Sequence, residues 1–181
     1  FKKSRNLFAL NFARTSCAEE MILCEGYMDV IAMHAAGFTN AVATLGTALT
    51  SEQARIMARY TKKVLISYDS DAAGQKAANR AIGILGEVGL DVRVLRLSGA
   101  KDPDEFLKKY GAEKFRAQLS GSKSKFDYNM DTILARHDIM LPDEKIKACA
   151  ELSKMIAEIY SSAEREIYIA AVSKRLEIPA Q

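Results

Sequence analysis

Six carboxylates stand where an apolar run gives way to a helix-forming stretch: Glu25, Asp29, Asp69, Asp71, Asp102 and Asp104. The sharpest case is Val64 to Gly74. Its first five residues, Val-Leu-Ile-Ser-Tyr, suit a strand buried on both faces, and Asp69-Ser70-Asp71 follow at once, before an alanine-rich helical stretch. Two acids one residue apart at a strand tip can hold a hard divalent cation through oxygen ligands. Magnesium is the expected ion, with manganese as its substitute. The same Asp-Ser-Asp also suits plain turn chemistry, with Asp71 capping the helix that follows.

The other acids occupy comparable places. Met21 to Cys24 reads as a buried strand ending at Glu25, and Asp29 falls one turn into the helix after Gly26. Ala41 to Leu45 reads as a second strand, after which Thr50 or Ser51 is positioned to cap a helix through Gln53. Asp91 to Leu97 gives a fourth strand of edge or half-exposed character. It leads into Lys101-Asp102-Pro103-Asp104-Glu105, where Pro103 favours the first turn of a new helix. If these strands run parallel with right-handed crossovers, all six acids gather at one sheet edge. Carboxylates so crowded repel unless divalent metal neutralises them, an arrangement suited to phosphoryl chemistry.

The remaining stretches bear less chemistry. Phe1 to Ser16 carries Lys2, Lys3, Arg5 and Arg14 without an acid and is read as a basic helical segment able to contact phosphates. Beyond Leu119 no strand-like run appears, and apolar residues such as Ile146, Leu152, Ile156 and Ile159 recur at helical spacing. Residues 126–136, 143–160 and 162–176 therefore read as a small bundle, in which Tyr128, Tyr160 and Tyr168 are packing residues. His34 is a packed or surface histidine without a partner at metal spacing. The glycines at 83, 86 and 89 end a helix rather than open one, and no Gly-Lys-Ser/Thr phosphate loop occurs.

Composition sets the outer bounds. With 181 residues, 49% hydrophobic and 27% charged, the chain matches an ordinary folded protein with one sizeable core and a helical appendage. The net charge of +3 permits a polyanionic partner. Cys17, Cys24 and Cys149 form no Cys-x-x-Cys or Cys/His cluster, so no zinc site is expected within this chain. The odd cysteine count fits a reducing cytoplasm, and no apolar run is long enough to span a membrane. The chain opens at Phe1, which reads as the start of a fragment.

Four motifs in order, Glu25-Gly26-Tyr27-Met28-Asp29-Val30, Leu45-Gly46-Thr47-Ala48, Tyr68-Asp69-Ser70-Asp71-Ala72-Ala73-Gly74 and Lys101-Asp102-Pro103-Asp104-Glu105, resemble the signatures of the TOPRIM domain in bacterial DnaG-type DNA primases. The resemblance covers Phe1 to about Leu119 closely and the helical tail loosely. It implies a Rossmann-like α/β fold with a mainly parallel four-stranded sheet, followed by an all-helical segment. The implied division is 1–16 from the preceding polymerase subdomain, 17–121 as the TOPRIM domain and 122–181 as the helical segment.

The activity implied is synthesis of short RNA primers from ribonucleoside triphosphates on single-stranded DNA. Glu25 would be an acid/base or metal group, Asp69 and Asp71 the metal-binding pair, and Asp29, Asp102 and Asp104 further acids of the same centre. Lys3, with Lys2 and Arg5, would belong to a template and nucleotide surface. The helicase is expected to bind through a further carboxy-terminal domain, and the setting to be the bacterial cytoplasm, at the nucleoid. Two other readings compete. One is a topoisomerase-like or nuclease-like TOPRIM enzyme. The other is a receiver-like module phosphorylated on Asp69, which leaves Glu25 and the Lys-Asp-Pro-Asp-Glu motif without a role.

Overall fold

The computed structural model describes residues 2–179, so Phe1, which opens the basic segment, lies outside the described residues. The chain divides into two compact units, residues 1–125 and 126–181. In the first, four strands run parallel: three are near-continuous apolar runs covered on both faces, while the fourth alternates, with Asp91 exposed and Arg93 half-buried. These are β1 (Met21–Cys24), β2 (Ala41–Ala43), β3 (Lys63–Ser67) and β4 (Asp91–Val94), separated by helices α2 (Tyr27–Ala35), α3 (Ser51–Met57) and α4 (Ala72–Glu87). A short helix α1 (Leu10–Ala13) precedes them.

After β4 comes α5 (Pro103–Ser120), which is broken at Gly111, where φ is 80°. The break falls at a glycine, whose positive φ is one that residues with a side chain rarely adopt. A fifth strand was not expected. Lys123–Ser124 forms β5, two residues long and antiparallel to β4, whose Arg93 donates from its guanidinium to the Ser122 carbonyl at 2.7 Å. So short a strand has no apolar periodicity to reveal it.

The sheet order is β2-β1-β3-β4-β5. From β1 the chain crosses to β2 on one side, then returns past β1 to β3 on the other. Strand order therefore reverses between β1 and β3, and a crevice opens there at their carboxyl ends. Leu65, Ile22, Cys24, Ala41 and Ala43 share one core face with Val30 and Met33 of α2 and Phe106 and Phe115 of α5. By the two-residue period of a strand, Val42, Thr44 and Tyr68 belong to the other face, toward α3 and α4.

The basic amino-terminal stretch is not the continuous helix expected. Lys3–Arg5 form a single 3-10 turn, Phe8 bridges antiparallel to Ala43 at the β2 edge, and only Leu10–Ala13 are helical. Its apolar residues dock on the sheet edge, and that pairing competes with local helix.

Among its described residues the second unit has three helices, α6 (Lys125–Leu134, beginning one residue earlier), α7 (Pro142–Ala157) and α8 (Ser162–Leu176). Phe126, Met130, Leu152, Ile156, Val172 and Leu176 form its core, and Phe126 stacks on Tyr168 with ring centroids 3.7 Å apart. Two expected packing residues are instead in water: Ile146 on α7 and Tyr160, which is 100% exposed between α7 and α8. Three helices leave one side of α7 uncovered, and Tyr160 lies in the turn rather than on a core face.

Candidate metal centre at the sheet edge

Glu25 directly follows β1, and Asp69 follows β3 by two positions. Cys24 and Ser67 are the last register partners of this strand pair, so both acids emerge side by side at the switch point. Glu25 Oε2 accepts from the Asp69 backbone N–H at 3.4 Å, which fixes the two tips against each other. Glu25, Asp69 and Asp71 have exposed or half-buried side chains at this edge, whereas Asp29 is buried.

Asp71 does what the turn reading anticipated. Its Oδ1 accepts from the Gly74 N–H at 2.7 Å and caps α4, which leaves Oδ2 for other use. Gly74 has a specific reason to be glycine. A Cβ placed there would run into the Asp69 carbonyl, with the Asp69 carbonyl carbon at 2.8 Å and its Cβ at 3.0 Å. The helix start is thus pressed against the acid-bearing loop, and a side chain at 74 would push that loop away.

A second loop is sewn to the first. Ser70 donates from its N–H at 2.9 Å and from its hydroxyl at 3.3 Å to the Lys101 carbonyl, bringing the loop after β4 beside the loop after β3. Gln75 Nε2 holds the Ser70 carbonyl at 3.0 Å. Asp102 then caps α5 by accepting from the Glu105 N–H at 2.7 Å, while its Oδ2 lies 3.5 Å from the Lys101 ammonium. Asp104 pairs at 2.6 Å with Lys108 one turn along the same helix.

Electrostatics tie these acids together. Burial raises the Asp69 carboxyl above its ordinary range, and Glu25, Asp102 and Asp71 add like-charge repulsion, while Lys101 opposes them. Burial also pushes Asp29 up to about 6. Its carboxylate is stabilised by the Gly26 N–H, from which it accepts at 3.1 Å, and by the Asp104 N–H, and is raised by the charges of Asp102 and Asp69. Five of the six acids therefore act on one another electrostatically, and Asp104 enters through its backbone rather than its carboxylate.

Among the described residues no three His, Cys, Asp or Glu side chains stand in a ready-made ligand cage. The donor set nevertheless fits a hard divalent cation. Every candidate ligand is a carboxylate oxygen, and the like-charge repulsion that adds to burial in lifting Asp69 is what a bound dication would relieve. At the base of the same edge, the Ser67 hydroxyl is buried without a hydrogen-bond partner.

Lys3 and Arg5 sit on the 3-10 turn and Lys2 just before it, all with their side chains in water. Sequence reading missed what anchors that turn. Gln53, fully buried on α3, donates to the carbonyls of Lys3 at 3.1 Å and Asn6 at 2.8 Å, and its Oε1 receives the Thr50 N–H at 3.0 Å. Thr50 is the α3 cap, and its hydroxyl donates to the Ser4 carbonyl at 2.7 Å. A glutamine three residues after a threonine cap was the available signal for half of this arrangement. The partners some fifty residues upstream left no local trace. His34 is a structural residue, as expected, with Nε2 donating to the Ala41 carbonyl at 2.9 Å.

Residues 22–107 match the family model described as Toprim-like, and residues 126–181 match the DnaB-helicase binding domain of primase. A DNA primase of Clostridium acetobutylicum is 40% identical over 182 residues, an alignment covering 100% of this chain and 30% of that protein. The chain belongs to the DnaG-type DNA primases. Solved members of that family share its fold. The DnaG primase catalytic domain bound to single-stranded DNA matches 98% of this chain and 58% of its own, with a TM-score of 0.78 at 28% identity. The RNA polymerase domain of Mycobacterium tuberculosis primase DnaG in complex with double-stranded DNA matches 99% of this chain and 59% of its own, with a TM-score of 0.84 at 26% identity. The chain spans 26–30% of the length of the curated primases it matches. The helicase-binding match falls on the helical unit itself, which the motifs resembled only loosely. No described helix is long and apolar enough to cross a membrane.

Proposed function

We propose that this chain carries the metal-binding part of a primase active site, which joins ribonucleotides into short RNA primers on a single-stranded DNA template. The observation that supports this most is the contact of Glu25 with the Asp69 backbone at the switch point of the sheet, with Asp71 and Asp102 close enough to raise the Asp69 carboxyl. Glu25 and Asp69, with the free oxygen of Asp71, would hold Mg2+ or Mn2+. The bound ion would orient the reacting oxygens and offset the charge that develops as the primer 3′-hydroxyl attacks the α-phosphate and pyrophosphate leaves.

The chain's own residues have separable tasks. Ser70 and Gly74 fix the Asp69 loop. Asp29 and Asp102 supply surrounding negative potential, which favours a dication over a monovalent one. Glu25, the acid nearest the Asp69 backbone, is placed to take the 3′-hydroxyl proton on a carboxylate oxygen when it is not serving as ligand. Lys2, Lys3 and Arg5, fastened to α3, form a cationic surface for template or nucleotide phosphates. The helical unit takes part in contact with the replicative helicase, and the setting is the bacterial cytoplasm at the nucleoid.

The test is primer synthesis by a full-length primase carrying this segment. Glu25→Gln and Asp69→Asn should each lower the rate by at least about a hundredfold, the scale of lost electrostatic stabilisation of a transition state. Asp104→Asn, which removes only the Lys108 pair, should cost far less. Wild-type rates from both Glu25→Gln and Asp69→Asn would refute the assignment.

A further inference from the structure

Glu25 has two neighbourhoods. Toward Asp69 it belongs to the acid cluster, whose Asp29 and Asp102 come from α2 and α5 on one face of the sheet. It also lines a cavity of about 460 Å³ together with Thr44, Thr47, Leu49, Tyr68 and Arg80. Thr44 and Tyr68 lie on the opposite strand face, and Arg80 comes from α4, so the cavity opens on the α3/α4 side. Its size is that of a small-ligand site.

The chemistry of this wall differs from that of the acid edge. Arg80 is exposed, and among the described residues its guanidinium pairs with no carboxylate, although Glu25 lines the same cavity. Thr44, Thr47 and Tyr68 bring hydroxyls. Gly46, at φ 69°, turns the loop that brings Thr47 to the cavity wall. The same loop runs on to Thr50, whose hydroxyl holds the Ser4 carbonyl, so the cavity and the Lys2–Arg5 turn adjoin through one short segment. A planar guanidinium beside hydroxyl donors recognises phosphate oxygens, which it can grip through two hydrogen bonds at once.

We propose that this cavity is a phosphate site, in which Arg80 and the hydroxyls of Thr44, Thr47 and Tyr68 hold a phosphate group against the Glu25 side of the metal centre. The proposal rests on the reading of that centre and adds to it a cationic residue on α4. One arginine beside a group of acids offers the counter-charge a phosphate needs to approach them. The phosphate belongs either to the polyphosphate tail of a nucleotide or to the backbone of a nucleic-acid strand.

The experiment compares the whole chain with Arg80→Ala, Arg80→Lys and Lys76→Ala. Lys76 is exposed on the same helix and outside the cavity wall, so its removal costs the same charge without the site. Inorganic triphosphate and a short oligothymidylate are titrated separately, with and without Mg2+, and Mn2+ binding is followed by broadening of the Glu25 and Asp69 resonances. Arg80→Ala should weaken at least one phosphate probe about tenfold or more, the cost of a lost charge-assisted pair. Arg80→Lys should recover part of that loss, and Lys76→Ala should change affinity less than twofold. Loss with triphosphate alone assigns a nucleotide tail, and loss with oligothymidylate assigns a strand phosphate. Unchanged affinity for both probes, or an equal loss in Lys76→Ala, overturns the proposal. Wild-type protein whose Glu25 and Asp69 ignore Mn2+ would instead refute the metal centre, a separate result from the phosphate titrations without Mg2+.

Discussion

Replacing Gly74 with alanine should damage the acid edge from behind. Gly74 is the third residue of α4, a place where alanine alone is worth up to about 1 kcal/mol over glycine in helix propensity. Here the new methyl meets backbone. The contact with the Asp69 carbonyl carbon would have to open from 2.8 Å to at least 3.4 Å, and neither side is the flexible end of a side chain. Overpacking of this kind costs about 1–3 kcal/mol. Displacing the Gly74 N–H from Asp71 Oδ1 removes a cap worth about 1 kcal/mol more.

The steric and capping losses therefore exceed the propensity gain, for a net destabilisation of about 1–3 kcal/mol. Thermal unfolding measures this, and Gly83→Ala on the same helix is its control, because a Cβ at Gly83 meets nothing within 4 Å. Gly83→Ala should stabilise the protein slightly, while Gly74→Ala should lower Tm and weaken Mn2+ binding together. A Gly74→Ala protein as stable as wild type, with unchanged Mn2+ affinity, would refute the idea that the α4 start sets the position of Asp69.

Two further perturbations probe the supports and the helical unit. Gln53→Ala leaves the Lys3 and Asn6 carbonyls without their donor and opens a buried space, so it should cost about 1–3 kcal/mol. It should also speed tryptic cleavage at Arg5 while sparing Mn2+ affinity; unchanged cleavage would show that the basic turn is held by other contacts. In the second unit His137 stands between Glu144, 2.8 Å from Nδ1, and Glu151, 3.0 Å from Nε2, and these partners raise its pKa. A folded-state pKa above the unfolded value of about 6.5 means the stabilisation is complete below that pH and is lost as pH rises through the raised value. Melting of the helical unit should therefore occur at lower temperature on the alkaline side of that window, and His137→Gln should flatten the dependence; a profile identical in His137→Gln would assign the titration elsewhere.

The sheet was legible because β1 and β3 are short, uninterrupted apolar runs that only burial on both faces explains. Glu25 and Asp69 were legible for the same reason, since each is the first charged residue after such a run. The order β2-β1-β3-β4 was not, because nothing in the residues of β2 states on which side of β1 it pairs. The Asp71 cap was legible, as an acid just ahead of an alanine-rich helix, and it occupies only Oδ1. Gly74 looked like ordinary helix composition; its need for a bare backbone appears only when α4 is seen against the Asp69 carbonyl. The amino-terminal stretch was misread as helix because Leu7, Phe8 and Leu10 have helical spacing, while the Phe8–Ala43 bridge that captures them comes from a strand more than thirty residues away.

The most direct measurement is a double-mutant cycle for Mn2+ affinity, by calorimetry, on wild type, Glu25→Gln, Asp69→Asn and the double variant. If both carboxylates serve one ion, each single change removes most of the binding, and the second adds far less than it does alone. Strictly additive losses, or tight binding that survives both substitutions, would mean that the two acids do not meet at a common cation.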